Sequence, residues 1–253
     1  MRTLTLTALP DIPEIERGMA LAPILVDAID RAGLRLEEGD VLVIAQKIVS
    51  KAEGRRVRLS SVEPSQRTIA LAASVGNDPR MVELMLRESH EVLRATRGVL
   101  IVEHRLGFVM ASAGIDQSNV PGGDGEHVLL LPEDPDASAR ALRDELRAIS
   151  NVEVGVVIND SFGRAWRNGV VGIAIGVAGV PALIDMRGKP DRESRALEVT
   201  QVAAADELAA AASLVMGQAD EGTPAVLARG FPYARRESRV DELIRPRQED
   251  LFR

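Results

Sequence analysis

The chain has 253 residues, 45% hydrophobic and 27% charged, with a formal net charge of −7 and no cysteine. That length suits one large domain or two small ones. The absence of cysteine excludes disulfides, thiolate metal sites, iron–sulfur clusters and cysteine nucleophiles, and fits a reducing, cytoplasmic setting. Aromatics at 2% leave few rings for stacking bases, and the acidic balance offers no broad basic surface, so nucleic acid and anionic membranes are poor partners.

Residues 1–6 alternate like an edge or hairpin strand and lack the long apolar core of a signal peptide. Leu9-Pro10-Asp11-Ile12-Pro13 reads as a rigid loop, because two prolines fix the backbone and withdraw donors. Leu21, Ile24, Leu25, Ala28 and Ile29 have helical spacing within 20–32, and Gly33 ends that run. A short strand follows at 41–44 and exits into Gln46-Lys47-Ile48-Val49-Ser50-Lys51-Ala52-Glu53-Gly54. Helices are predicted at 65–75 and 79–88, the second with proline near its start. His90 reads as a helix-surface residue.

Segments 99–103 and 108–111 read as a hairpin around Arg105-Leu106-Gly107, and glycine-rich 121–125 as a loop. An amphipathic helix is predicted at 137–149 and a buried strand at 154–158, stopping at Asp160-Ser161. The longest apolar run, 169–184, is 16 residues and broken by glycine and proline. It is too short for a membrane span and reads as buried strand and turn. Gly172, Gly176 and Gly179 within it fit close strand packing better than phosphate binding. Alanine-rich 199–216 predicts a long helix, 225–228 a strand, and the charged tail after Gly230 is weakly specified.

Four ordered segments end in polar clusters. Asp160-Ser161 offers a carboxylate and a hydroxyl, hard donors of the kind that hold Mg²⁺ or Mn²⁺ beside a phosphate. Arg164 and Arg167 follow, and the guanidinium fork suits phosphate or carboxylate oxygens. The same pattern also fits a turn-capping aspartate with surface arginines. Ser50-Lys51-Ala52-Glu53-Gly54 could bring a lysine to phosphate, or could be surface; it lacks the glycine spacing of a P-loop. Asp116 and Asn119, in Gly114-Ile115-Asp116-Gln117-Ser118-Asn119, could serve a metal and a nucleotide, or form an Asx turn. Met216-Gly217-Gln218-Ala219-Asp220-Glu221-Gly222 allows close backbone approach to a ligand, or is a helix cap and an acidic turn. His90, His104 and His127 show no ligand spacing.

Together these segments resemble the coenzyme F-420:γ-glutamyl ligase family. The carrying motifs are Ile48-Val49-Ser50-Lys51-Ala52-Glu53-Gly54, Ala113-Gly114-Ile115-Asp116-Gln117-Ser118-Asn119-Val120, Asp160-Ser161-Phe162-Gly163-Arg164 with Trp166-Arg167-Asn168-Gly169, and Met216-Gly217 with Glu221-Gly222-Thr223-Pro224. The resemblance implies an α+β, two-lobed subunit in an intertwined homodimer. One lobe would hold 1–85 plus 185–253, the other 86–184. It also implies a reaction: GTP phosphorylates a carboxylate of the deazaflavin coenzyme precursor, and L-glutamate attacks the acyl phosphate to form an amide.

By motif, Asp116 and Asp160 would hold one divalent ion, Mg or Mn. Ser161, where the family often has threonine, and Gln218 would hold a second, with Asp220 and Glu221 assisting. A monovalent potassium ion is a further candidate. Lys51 would contact phosphate and Asn119 the nucleotide. Leu9, Pro10, Asp11, Ile12, Gln46, Lys47, Met216, Gly217, Gln218, Ala219, Asp220, Glu221, Gly222 and Thr223 would line the nucleotide pocket. Gln46-Lys47 stands where the family has Ser-Thr or Ser-Lys. Arg164 and Arg167 are candidates for the acceptor's phosphate or carboxylate. The rival readings are a glutamate ligase for another carboxylate-bearing cofactor and a non-catalytic nucleotide-binding protein.

Overall fold

A computed structural model describes residues 3–118 and 126–251. Asn119, Val120 and the glycine-rich 121–125 lie outside the described residues. The fold is α+β, with one five-stranded mixed sheet and three smaller antiparallel ones. In the large sheet β2 (Val41–Ala45) lies at the centre, four of its five residues buried. It runs parallel to β8 (Gly155–Arg164) on one side and antiparallel to β12 (Ala225–Arg229) on the other. β1 (Thr5–Ala8) pairs with β12, and β9 (Arg167–Ala178) with β8, at the two edges.

Alternation along the strands divides the core. Leu42, Ile44, Val156, Ile158 and Leu227 face helices α1 (Leu21–Arg31) and α5 (Pro135–Ser150), meeting Leu25, Ile29, Leu142 and Leu146. Val41, Val43, Val157 and Val226 face α6 (Ala204–Met216), meeting Leu208, Ala209 and Ala212. Small aliphatic side chains do nearly all of this packing, as the scarcity of aromatics requires.

A second antiparallel sheet holds β4 (Ser89–Thr96), β5 (Val99–His104) and β6 (Val109–Ala111). It packs on α3 (Gln66–Val75) and α4 (Pro79–Arg87) through Ala72, Val75, Val82, Met85, Leu100 and Val102. Local chemistry fixes these helices. Ser65 and Asp78 accept N–H groups at the starts of α3 and α4, Pro79 opens α4, and left-handed Gly76 closes α3. The pairs β3 (Arg56–Arg58) with β7 (His127–Leu129) and β10 (Ile184–Asp185) with β11 (Gln201–Val202) complete the strands. The short helix α2 (Gln46–Ala52) follows β2 directly.

Four sequence expectations are corrected. β8 does not stop at Asp160 but runs on to Arg164, where the chain turns into β9. The helix predicted at 199–216 starts at Ala204, because Gln201 and Val202 pair with β10 instead. The N-terminal strand lies at Thr5–Ala8 rather than 1–6. His90 sits on β4, not on a helix. Among the described residues no helix is long and apolar enough to cross a membrane.

Asp136 in α5 and Asp206 in α6 brace β9. Asp136 accepts the N–H of Val177 at 2.9 Å and that of Val240 at 3.2 Å. Asp206 accepts the N–H of Ala174 at 2.9 Å. These bonds flank Ile175, the residue that bulges between the pairs Ile158↔Gly176 and Asn159↔Ala174. The glycines bring the helices close. A Cβ on Gly172 would stand 2.5 Å from the Ala209 carbonyl oxygen of α6, and one on Gly176 would stand 2.5 Å from the Pro135 carbonyl of α5. Gly172→Ala is therefore expected to lower stability by about 1–3 kcal/mol, as overpacking does. Gly163→Ala, with nothing within 4 Å of the new Cβ, should leave the urea midpoint nearly unchanged. Equal midpoints for the two variants would refute this packing role.

Candidate active site

β2 and β8 run side by side only as far as the pair Ala45↔Asn159. There β2 turns into α2 while β8 continues, so a gap opens beside Asp160 and Ser161. Crevices beyond the carboxyl ends of parallel strands are common ligand sites. Here one wall is α2, through Gln46 and Lys47, and the other is the loop after α6, from Gly217 to Pro224. That loop is anchored by Thr223 Oγ1 on the Met216 carbonyl at 2.8 Å and by the Ala45 N–H on the Pro224 carbonyl at 2.8 Å.

Asp116 arrives from the second sheet. After β6 the backbone makes a left-handed turn, with φ of 54° at Ser112, 53° at Ala113 and 65° at Gly114. Asp116 then exchanges backbone hydrogen bonds with Leu129 at 3.0 and 2.8 Å. Its carboxylate meets the Lys47 ammonium at 2.6 Å and takes both the N–H and the hydroxyl of Ser118 at 2.7 Å. Burial alone would raise the Asp116 pKa, but Lys47 and Ser118 outweigh it and hold the group below its ordinary value. Asp160 has the opposite balance. Burial pushes its pKa up to about 7, outweighing the Ser161 N–H bond that pulls it down, while the charges of Asp116 and Lys47 act in opposite directions and count for less. The site therefore holds one ionised carboxylate in an ion pair with Lys47 and a second that feels that lysine only from a distance.

Beside them, Ser161 Oγ donates to Gln218 Oε1 at 2.9 Å, and Gln218 Nε2 donates to Ser213 Oγ at 2.8 Å. In the loop, Glu221 folds back to accept the Ala219 N–H at 2.7 Å. This bond and the N–H groups of Glu221 and Gln218 hold its pKa down. Left-handed Gly217 leaves room for that carboxylate, because a side chain there would collide with it.

The structure thus brings together Asp116, Asp160, Ser161, Gln218, Gln46, Lys47 and, from the loop, Met216, Gly217, Ala219, Glu221, Gly222 and Thr223; Asp220 does not line the cleft. Three groups stand apart. Lys51, one turn beyond Lys47 on α2, pairs with Glu14 at 2.6 Å and does not line the cleft. Leu9 is buried in the core, and neither it nor Pro10, Asp11 or Ile12 lines the cleft; the Asp11 carbonyl accepts from Arg31 at 3.0 Å. Arg164 and Arg167 pair across the hairpin tip, about 13 Å along the strand from Asp160. Asn119 lies outside the described residues.

Sequence reasoning missed the Lys47–Asp116 pair, the part played by Ser118, and Asn159. Asn159 is buried against Met216 at 3.6 Å, with its Oδ1 unpartnered. Choosing Lys47 over Lys51 requires knowing that β2 ends at Ala45. The donor set fits a hard divalent ion: two carboxylates, a hydroxyl and an amide oxygen. Among the described residues no group of three His, Asp or Glu forms a cage, so an ion here would complete its shell with water and substrate oxygens, as Mg²⁺ commonly does.

The family model described as F420-0:Gamma-glutamyl ligase matches residues 11–230. This chain belongs to that family. It is 44% identical over 252 residues to the coenzyme F420:L-glutamate ligase of Methanothermobacter thermautotrophicus, covering 99% of both chains. It is 47% identical over 255 residues to that of Methanopyrus kandleri, covering 99% of this chain and 98% of the relative. To that of Haloarcula marismortui it is 43% identical over 252 residues, covering 97% and 94%. Within the F420-0:γ-glutamyl ligase match fall all the cleft residues named above.

Proposed function

We propose that the chain is a GTP-dependent ligase that joins L-glutamate to a coenzyme F-420 precursor through an acyl phosphate. The observation that carries this reading is the pair Asp116 and Asp160, one paired with Lys47 and one that feels that lysine only from a distance, facing a loop whose N–H groups already hold a carboxylate. That combination suits a ligand presenting both a cation and anionic oxygens. An acceptor carboxylate oxygen would attack the γ-phosphorus, and GDP would leave. The glutamate amine would then attack the acyl carbon and expel phosphate, its proton leaving with the phosphate.

Divalent cations, when bound, would neutralise phosphate charge. Asp116 and Asp160 would hold one, and Ser161 and Gln218 a second, while the loop from Gly217 to Gly222 would face the nucleotide. Such catalysis is mostly positioning and charge neutralisation. The two-lobed homodimer belongs to the same proposal. Asp116 arrives with the three-stranded sheet, whereas Asp160, Lys47 and the loop are carried by the five-stranded sheet and its connections, which supports a site drawn from two parts of the subunit.

The test is GDP and phosphate release together with the product mass. Release should require glutamate, the F-420 precursor and Mg²⁺ or Mn²⁺, and the acceptor should gain glutamyl units. Release with a different carboxylate acceptor only would favour a ligase for another cofactor, and full activity in excess chelator would refute the metal role. For the acceptor end, Arg167→Ala or Arg164→Ala is expected to weaken acceptor binding by about 2–5 kcal/mol if a charge-assisted contact is lost, with GTP binding nearly unchanged. Calorimetric titration of each ligand checks this; equal weakening of both would move the arginines to the nucleotide.

A further inference from the structure

We propose that Lys47 is the cleft's own counter-ion: it holds a divalent cation's place at Asp116 and is driven out when the cation binds. This rests on the metal reading above and extends it to an order of events. The Lys47 ammonium lies 2.6 Å from Asp116 Oδ2 and 2.7 Å from Ser118 Oγ. Ser118 gives both its N–H and its hydroxyl to Asp116 Oδ1, each at 2.7 Å. A carboxylate offers about four lone-pair positions, and these three contacts take all but one. A metal ion and an ammonium competing for the same oxygens also repel each other, more strongly in a half-buried site than in water.

Lys47 can leave. Its side chain is 26% exposed, and its flexible four-carbon stem lets the charge swing toward solvent. Lys51 does not stand in for it, because it does not line the cleft and its ammonium meets Glu14 at 2.6 Å. Lys47 also acts on both carboxylates, lowering the pKa of each. Without a cation, it therefore limits the repulsion between Asp116 and Asp160. Once displaced, it is a free ammonium at the wall of the cleft, ready for an arriving anion. The structure thus implies metal first and lysine-to-phosphate second.

The test uses the full chain and the metal alone. Mn²⁺ is titrated into wild type and Lys47→Met, with free ion followed by electron paramagnetic resonance. The variant should bind about tenfold tighter, since no charged hydrogen bond must be broken. In parallel, native protein is labelled briefly with an amine-acylating reagent, with and without Mg²⁺, and read by peptide mass spectrometry. Lys47 labelling should rise severalfold with Mg²⁺ while Lys51 labelling stays constant. Lys47 equally protected with metal bound, or a variant that binds no tighter, overturns the displacement and leaves the metal reading standing. No Mn²⁺ bound by either protein overturns both.

Discussion

Asp160→Asn is expected to lower turnover by about 10³-fold or more, the scale of several kcal/mol of lost transition-state stabilisation at a metal site. The same variant should be no less stable than wild type in the absence of metal. Burial raises the Asp160 pKa to about 7, so its ionised form is disfavoured by the fold. A carboxyl raised in this way favours folding when protonated, and that contribution fades as pH rises from its ordinary value of 3.8 through about 7. In chelator, the melting temperature of Asp160→Asn should therefore pull ahead of wild type as pH rises from 3.8 to about 7. Turnover near wild type at saturating Mg²⁺ would remove Asp160 from the chemistry. A matching loss of stability would mark it as a structural residue.

The second large effect is expected outside the cleft, at Glu88. Its carboxylate receives Arg55 at 2.9 Å and Arg105 at 3.0 Å, with the buried His104 imidazole at 3.6 Å. Burial would raise its pKa, but these partners together hold it down at about 2. Glu88→Ala leaves two guanidiniums facing each other without their shared anion, and should destabilise the fold by about 3–5 kcal/mol, as breaking a buried pair does. Because the folded pKa is depressed, the stabilisation is present above the ordinary value of 4.5 and is lost as pH falls toward 2. The gap between wild type and Glu88→Gln should accordingly close across that range; a constant gap would show that packing, not charge, is at stake. This cluster also reaches the site. Arg55 follows α2 and holds the Leu131 carbonyl at 2.8 Å, and Arg105 lies in the turn of the hairpin that leads to Asp116. Weakened Mn²⁺ binding in Glu88→Ala is expected as well.

What could be read in the sequence was what local chemistry decides. α1 shows in the spacing of Leu21, Leu25, Ala28 and Ile29, and α4 in the proline near its start, Pro79. The β5–β6 hairpin shows in its apolar runs around Gly107. β4 could not be read, because no residue of Ser89–Thr96 is fully buried, Val92 packs only partly against the second core, and two register shifts break the alternation. The far half of β8 failed for a related reason. Beyond Asp160 only Phe162 is buried, so Gly163 and Arg164 look like a turn although they still pair with β9. The polar clusters of the site were legible as types. Their assembly was not, since the Lys47–Asp116 contact depends on where β2 ends and on the left-handed turn at Ser112 and Ala113, a conformation their side chains disfavour.

The strand order of the large sheet has a consequence for how the molecule is made. β12 is inserted between β1 and β2, although most of the chain separates it from both. During synthesis a nascent chain that has emerged only as far as α6 would leave the facing edges of β1 and β2 without their partner, and such edges invite wrong pairing. Closure of the sheet is a contact of very long sequence separation, which slows folding. The bond from the Ala45 N–H to the Pro224 carbonyl, which anchors the far end of the loop, forms only when β12 docks. The newly made protein would thus carry its aspartates well before the far wall of the cleft is fixed, and the cleft would be complete only once the last strand of the large sheet has left the ribosome.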